Sequence, residues 1–471
     1  MPFRFLLLLL AACGGEDPSD TGRDTPTGTP TPTSPLPTTT DETVPTEDQV
    51  LSQVTASVHP TYGSILVVSW TQAVDATVHL EFSFETDVWM SSPERMLSAG
   101  AHEEFVLGVP FDTEITWRVV ADAAGEPAAS IDTTTRTGSL PPGLPRAMAA
   151  IEDPIGWDAA GAPFLFTTVG RWDDPWWILI YDRQLRPVWA ERSAPQHLSM
   201  HSRVARDAAS LFIDQNSFWA TFDLDAGYVE QKTLDGALVA TFATPGSHHP
   251  ITDLPDGSVA YGAISSFYSP ERLQIVHPDG TFETLWSCSD WMASIGINET
   301  CTSNTLNYDE ASDTFLFSFY SLDTIVEIDG TSGLATRWFG HVPGAYLFDP
   351  VESAFWWQHG GHITATGTLL TSSDLTRGGV ETVIREYEID DVNQTLREVW
   401  SFGVGDGVFG AEMGEAERLP NGNTWHNYGQ LPRLREATPD GTVVWDVSWD
   451  TDAIGRTMPI SDLYAMAGVR P

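Results

Sequence analysis

Apolar and polar residues alternate along short runs of this chain, and Gly, Pro and Asp separate the runs. In the region 49–137, "SILVVSWTQ" and "ATVHLEFSF" are followed by "TEITWRVVAD" and "ASIDTTTRT". Strict alternation over such lengths predicts half-buried strands, and their number and spacing predict a small β-sandwich. "GSLPPGLPR" (Gly138–Arg146) reads as a linker. From residue 147 to 471 a longer pattern takes over: a turn Asp followed by a strand that carries an aromatic. Asp182 precedes Trp189, Asp235 precedes Phe242 and Asp279 precedes Trp286. Asp329 precedes Trp338, Asp390 precedes Trp400 and Asp440 precedes Trp445. Four of these turns read "LDG", "PDG", "IDG" and "PDG", and Asp-Gly accepts the positive φ of a tight hairpin. Six such units at blade-like spacing predict an all-β chain, a six-bladed β-propeller preceded by the sandwich.

A second repeat lies earlier in each unit. Aligning the LP[DN]G turns of "HHPITDLPDGSVAY" and "GEAERLPNGNTW" places His249 and Gly414 in one register. The same register falls on His359 in "HGGHITATGTLL", on His201 in "HSRVARDAASLF" and on Thr302 in "TSNTLNYD". The first strand of each propeller blade faces the central channel, so these histidines should converge there. Metal binding is the lesser option, because no HxH, HExxH or clustered carboxylate accompanies them. A lone histidine of this kind would be a hydrogen-bonded structural residue. Three in one repeat register point to a site.

Composition narrows the chemistry. The chain has 471 residues, 65 acids against 23 bases and a formal charge of −42. That surface repels nucleic acid and anionic lipid. Lys232 is its one lysine, so a GxxxxGK[ST] phosphate loop is absent, and so is GxGxxG after a strand. At the N-terminus "FLLLLLAA" is too short to span a bilayer and ends in "LAAC". This resembles the lipobox of bacterial lipoproteins. The resemblance implies a signal peptide over 1–12, lipidation of Cys13, an outer-membrane address and a membrane contact through the anchor alone. Residues 13–48, rich in Thr and Pro, should form a disordered tether. In an oxidising compartment Cys288 and Cys301 would pair around "CSDWMASIGINETC". Free thiols are the alternative, and a zinc site is less favoured because no histidine lies close by.

The sandwich resembles a fibronectin type III module. The region from about 150 to 470 resembles the bacterial arylsulfotransferases. "RLPNGNTWHNYGQLPRLREATPDGTVVWDV" looks like their closing blade, and "QHGGHITATGTLL" is similar to their QHD…LPNGNIL segment. The order of such motifs over several blades is more specific than any one of them. The resemblance implies transfer without a cofactor: a channel histidine takes the sulfuryl group of an aryl sulfate and passes it to a phenol. Carried over by position, His359 is the nucleophile, and His249 and Asn304 bind sulfuryl oxygens or shuttle the acceptor proton. Arg377, in "DLTRGG", should point inward, and His201 joins by register. The chain departs from the family at Thr302, where the family has a histidine, and in "FSFYSLD", where Tyr320 stands in place of an arginine. Both departures remove positive charge. A non-catalytic propeller that binds an aromatic or glycan ligand is therefore the alternative.

Overall fold

The computed structural model describes residues 50–467 apart from positions 87, 124, 267 and 268. The signal segment, Cys13 and the 13–48 tether lie outside the described residues.

Alternation sets the sandwich. Leu66–Gln72 and Ala76–Glu85 bury every second side chain over most of their length. Leu66, Val68 and Trp70 from one sheet meet Leu80, Phe82 and Trp117 from the other. The first sheet holds Leu51–Val58, Leu66–Gln72 and Gly100–Val106. The second is centred on the pair Ala76–Glu85 and Glu114–Ala123. The run "ASIDTTTRT" is not one strand: Glu126–Ala129 and Thr133–Arg136 each pair separately with Glu114–Ala123.

The described residues beyond the linker form six antiparallel blades around a channel. Blade two begins at Arg203–Val204, blade three at Ser247–Asp253 and blade four at Ser303–Asp309. Blade five begins at Trp356–Ile363 and blade six at Glu415–Arg418. Blade one is assembled differently. Its three outer strands, Phe164–Gly170, Trp177–Asp182 and Pro187–Arg192, follow Ala147–Glu152, which adds to the outer edge of blade six beside Val443–Trp449, but its innermost strand is Ala453–Ile460. The chain thus closes the ring with a strand from near its far end.

Each of the six turn Asp residues lies between the third and fourth strands of a blade, where the repeat predicted it. The reason is local. Asp182, Asp279, Asp329, Asp390 and Asp440 each accept backbone N–H groups two or more residues on, which closes the hairpin. The aromatic that follows sits on the fourth strand, buried in the case of Trp189, Phe242, Trp286 and Trp445. Because the strands alternate in direction, these hairpins and those after the first strands share one face of the ring. The second-to-third connections and the blade-to-blade segments share the other.

The sandwich and the propeller share a core. Tyr62 stacks on Trp189 at 5.2 Å, and its hydroxyl donates to Glu191 at 2.7 Å. Ile65, Phe105 and Leu107 complete the same apolar cluster with Val188, Leu463 and Met466. Lys232 is spent here: its ammonium pairs with Glu191 at 2.8 Å and Glu230 at 3.0 Å. Cys288 and Cys301 are joined by a disulfide that ties the short helix Cys288–Ser294 to the start of blade four.

Candidate functional site: the propeller channel

The innermost strands bring together four of the residues read from the repeat. The rings of His201 and His249 lie 5.7 Å apart. His359 is close enough to affect the protonation of both electrostatically. Asn304 reaches across to blade five, where its amide donates to the Gln358 carbonyl at 2.7 Å. That amide nitrogen holds the backbone next to His359 and is already committed to it.

His201 is buried, and His249 and His359 are half-buried among the inner strands. Desolvation therefore disfavours the imidazolium. His359 is pushed down to about 4 by burial, against a small upward pull from the Trp357 carbonyl. His201 falls to about 3, through burial first and then the charge of Arg456. His249 is held well below its usual range, again mainly by burial. All three are neutral at pH 7.

The tautomer of His359 follows from its neighbour. Its Nδ1 lies 3.0 Å from the Trp357 carbonyl, which can only accept, so Nδ1 carries the proton. Nε2 keeps its lone pair. Trp357 is itself held at φ 45° while its N–H donates to Asp323 at 2.8 Å.

A second tier lies deeper along the same strands. Arg456, on the closing strand, donates to Asn307 at 2.9 Å and stands 3.8 Å from Glu415. Arg203 donates to Thr252 at 2.8 Å and stands 3.3 Å from Asp253. The Nε of each arginine is buried without a hydrogen-bond partner. Burial raises the Glu415 carboxyl against the opposing pull of Arg456. Burial also lowers Arg203 to about 10, which leaves it charged at pH 7.

The glycine pair of "FWWQHGGH" has a structural reason. Gly360 has φ 67°, and a Cβ there would lie 2.9 Å from the Glu415 backbone. A Cβ on Gly361 would lie 2.4 Å from Ile325. The strand is bulged on both sides of His359, so His359 faces the channel while His362 borders a groove on the hairpin face. The glycines make room for neighbouring blades.

At the channel mouth a cavity of about 260 Å³ is walled by Trp172, Trp219, Met200 and Met413. His249 forms part of its lining, with its ring 5.0 Å from Trp219. Glu412 and Gln430 supply its polar edge, joined by a 2.8 Å hydrogen bond. Tyr320 is half-exposed, with its ring 6.5 Å from that of His359, and its hydroxyl lies beside Thr302. The two departures from the family pattern are therefore neighbours.

Arg377 does not point inward. Its side chain is 71% exposed, 3.9 Å from Asp323, and lies over Trp356 at 5.5 Å. Trp356 in turn stacks on His341 at 3.8 Å, which makes it a packing residue. Sequence reasoning also missed Arg456, because the closing strand pairs with residues far away along the chain. It missed Arg203, Glu412 and Trp219, which carry no repeat signal. His248, the other half of the "HH" doublet, turns away from the channel to Glu271 at 3.0 Å. Among the described residues no group of three His, Cys, Asp or Glu side chains is arranged to hold a metal ion.

No family model matches the chain, and no curated protein matches it. Similar solved structures include a streptogramin B lyase, with 12% identity and a TM-score of 0.37, covering 67% of this chain and 98% of that one. A proposed 6-phosphogluconolactonase from Bacteroides uniformis has 12% identity and a TM-score of 0.39, covering 82% and 100%. The hydrazine synthase of Kuenenia stuttgartiensis has 11% identity and a TM-score of 0.38, covering 65% and 88%. At such values these likenesses add nothing to the reading of the channel.

Proposed function

We propose that the channel catalyses sulfuryl transfer from an aryl sulfate to a phenol through His359. The observation that carries this reading is the fixed tautomer: Nδ1–H is spent on the Trp357 carbonyl, so a neutral Nε2 lone pair is available in an enclosed channel. In the first step Nε2 bonds to sulfur, the S–O bond to the ring breaks, and the phenolate leaves. In the second, an acceptor phenol gives its proton to His249, which lines the channel mouth. Its oxygen bonds to sulfur, and the N–S bond breaks. Arg456, close enough to His201 to disfavour its imidazolium, is the cation assigned to the sulfuryl oxygens on this proposal, since Thr302 and Tyr320 replace basic groups. A cation held in a buried site stabilises the charge that builds on the sulfuryl oxygens.

Incubation of the purified protein with 4-nitrophenyl sulfate tests the reading. The expected result is release of nitrophenol and a mass gain of one sulfuryl group on His359. His359→Ala should show neither, with its fold unchanged by circular dichroism.

The Glu412 carboxylate at the mouth favours a second reading, a non-catalytic propeller that binds an aromatic ligand. Wild-type protein that binds aromatics but turns over no aryl sulfate establishes it. The protein also acts as a lipoprotein on this proposal, anchored through Cys13. Cys13→Ser should release it from membranes, and unchanged partitioning would reject the anchor.

A further inference from the structure

We infer that the channel mouth is a site for an organic cation, and that the preferred acceptor is a phenol bearing a protonated amine. Three observations carry this. First, the walls are two indoles and two thioethers, surfaces that hold an aromatic ring flat and attract a cation through the π face. Trp172 is 42% exposed and so available to a ligand. Second, the only ionisable side chains lining the cavity are Glu412 and His249, and His249 is neutral. No arginine or lysine lines it among the described residues. Arg171, next to Trp172 in sequence, turns to the Asp450 carbonyl at 2.9 Å. Third, the polarity is ordered along the cavity. Glu412 is at the exposed edge, held by Gln430, and His249 lies beside the histidine tier.

A ligand that places its ammonium at Glu412 and its ring between Trp172 and Trp219 would direct its hydroxyl towards His249. The net charge of −42 works in the same sense, since it concentrates cations and repels anions at long range. Anionic phenols are disfavoured twice, by the whole surface and by Glu412.

The acceptor role rests on the sulfuryl-transfer reading, but binding does not, so the two are tested separately. Three probes share one ring: tyramine, 4-ethylphenol and 3-(4-hydroxyphenyl)propionate. Their binding to the full chain is measured by calorimetry and by quenching of tryptophan fluorescence. Tyramine should bind about tenfold more tightly than ethylphenol, and the propionate most weakly. Glu412→Gln should bring tyramine and ethylphenol to within about twofold, while ethylphenol binding itself stays unchanged. Equal affinity of the three probes for wild type would overturn the site, and so would a cation preference that survives Glu412→Gln. A cation preference without any sulfuryl transfer would leave the site standing and reject its role as acceptor site.

Discussion

Two glycines of one strand separate His359, which faces the channel, from His362, and along that short stretch the channel passes from one tier to the other. Above, the rings of His201, His249 and His359 are desolvated and pair with no carboxylate among the described residues, and they respond by giving up charge. Below, Arg203 is as deeply enclosed, yet it keeps its charge beside Asp253, and Arg456 stands close to Glu415. Burial alone does not decide what a group becomes. The balance between desolvation and opposite charge within a few ångströms decides it. One tier therefore offers lone pairs, and the other offers positive charge.

The comparison breaks most sharply at His359. Its replacement by Ala should lower sulfuryl transfer by at least roughly 10³-fold, whereas His362→Ala should cost no more than about threefold. Rates from 4-nitrophenyl sulfate decide this, and equal losses would erase the distinction between tiers. Next comes the lower tier. Arg456→Gln should reduce turnover by roughly 10²-fold. It should also raise the titration point of His201, whose imidazolium Arg456 disfavours; proton NMR of the ring would read that shift. A variant with normal turnover would remove Arg456 from the mechanism.

The third test is pH. Protonated His359 cannot attack sulfur, and its folded value is about 4, below the usual 6.5. The rate should stay flat from pH 7 to 5 and halve near pH 4, provided that the fold holds. Stability moves with the same sign. The unfolded chain takes up protons at His201 and His359 as pH falls through 6.5, and the folded chain does not until far lower. Their contribution to stability is therefore intact above about 6.5 and is lost progressively towards 4 and 3. Asp214 and Asp374, raised by burial to about 7, act with the opposite sign, so the histidine effect should appear as the difference in denaturant midpoints between wild type and His359→Ala from pH 7 to 4.5. The smallest effect belongs to Arg377→Ala. An exposed guanidinium over Trp356 should change turnover by less than about twofold, and a larger loss would return it to the site.

What could be read in the sequence was local or periodic. The turn Asp residues were visible because a carboxylate two residues from an N–H makes its hairpin without help from elsewhere. The histidines were visible because they recur in one register. Directions and distant partners were not. Nothing near Arg377 in the sequence says that it lies over Trp356 in place of facing inward. Nothing near Gly360 shows that its missing side chain makes way for Glu415 of the next blade. Arg456 was hidden for the same reason, since its strand pairs with Phe164–Gly170 and not with its own neighbours. The sandwich strands were legible by alternation, but nothing in that pattern shows that Tyr62 would reach Trp189.

The closing strand also sets an order of events. Every histidine of the upper tier is synthesised well before Ala453–Ile460, and the ring stays open until that strand arrives. Its pairing with Phe164–Gly170 spans nearly the whole propeller, as does that of Ala147–Glu152 with Val443–Trp449, so both carry a large loop-closure cost and should be late steps in folding. Until then His201 and His359 lack the enclosure that keeps them neutral, and the channel lacks Arg456. An unfinished or clipped chain would thus hold its presumptive nucleophile in open water with no cation beneath it. Completion of the fold and onset of reactivity become one event, timed by the last strand to be made.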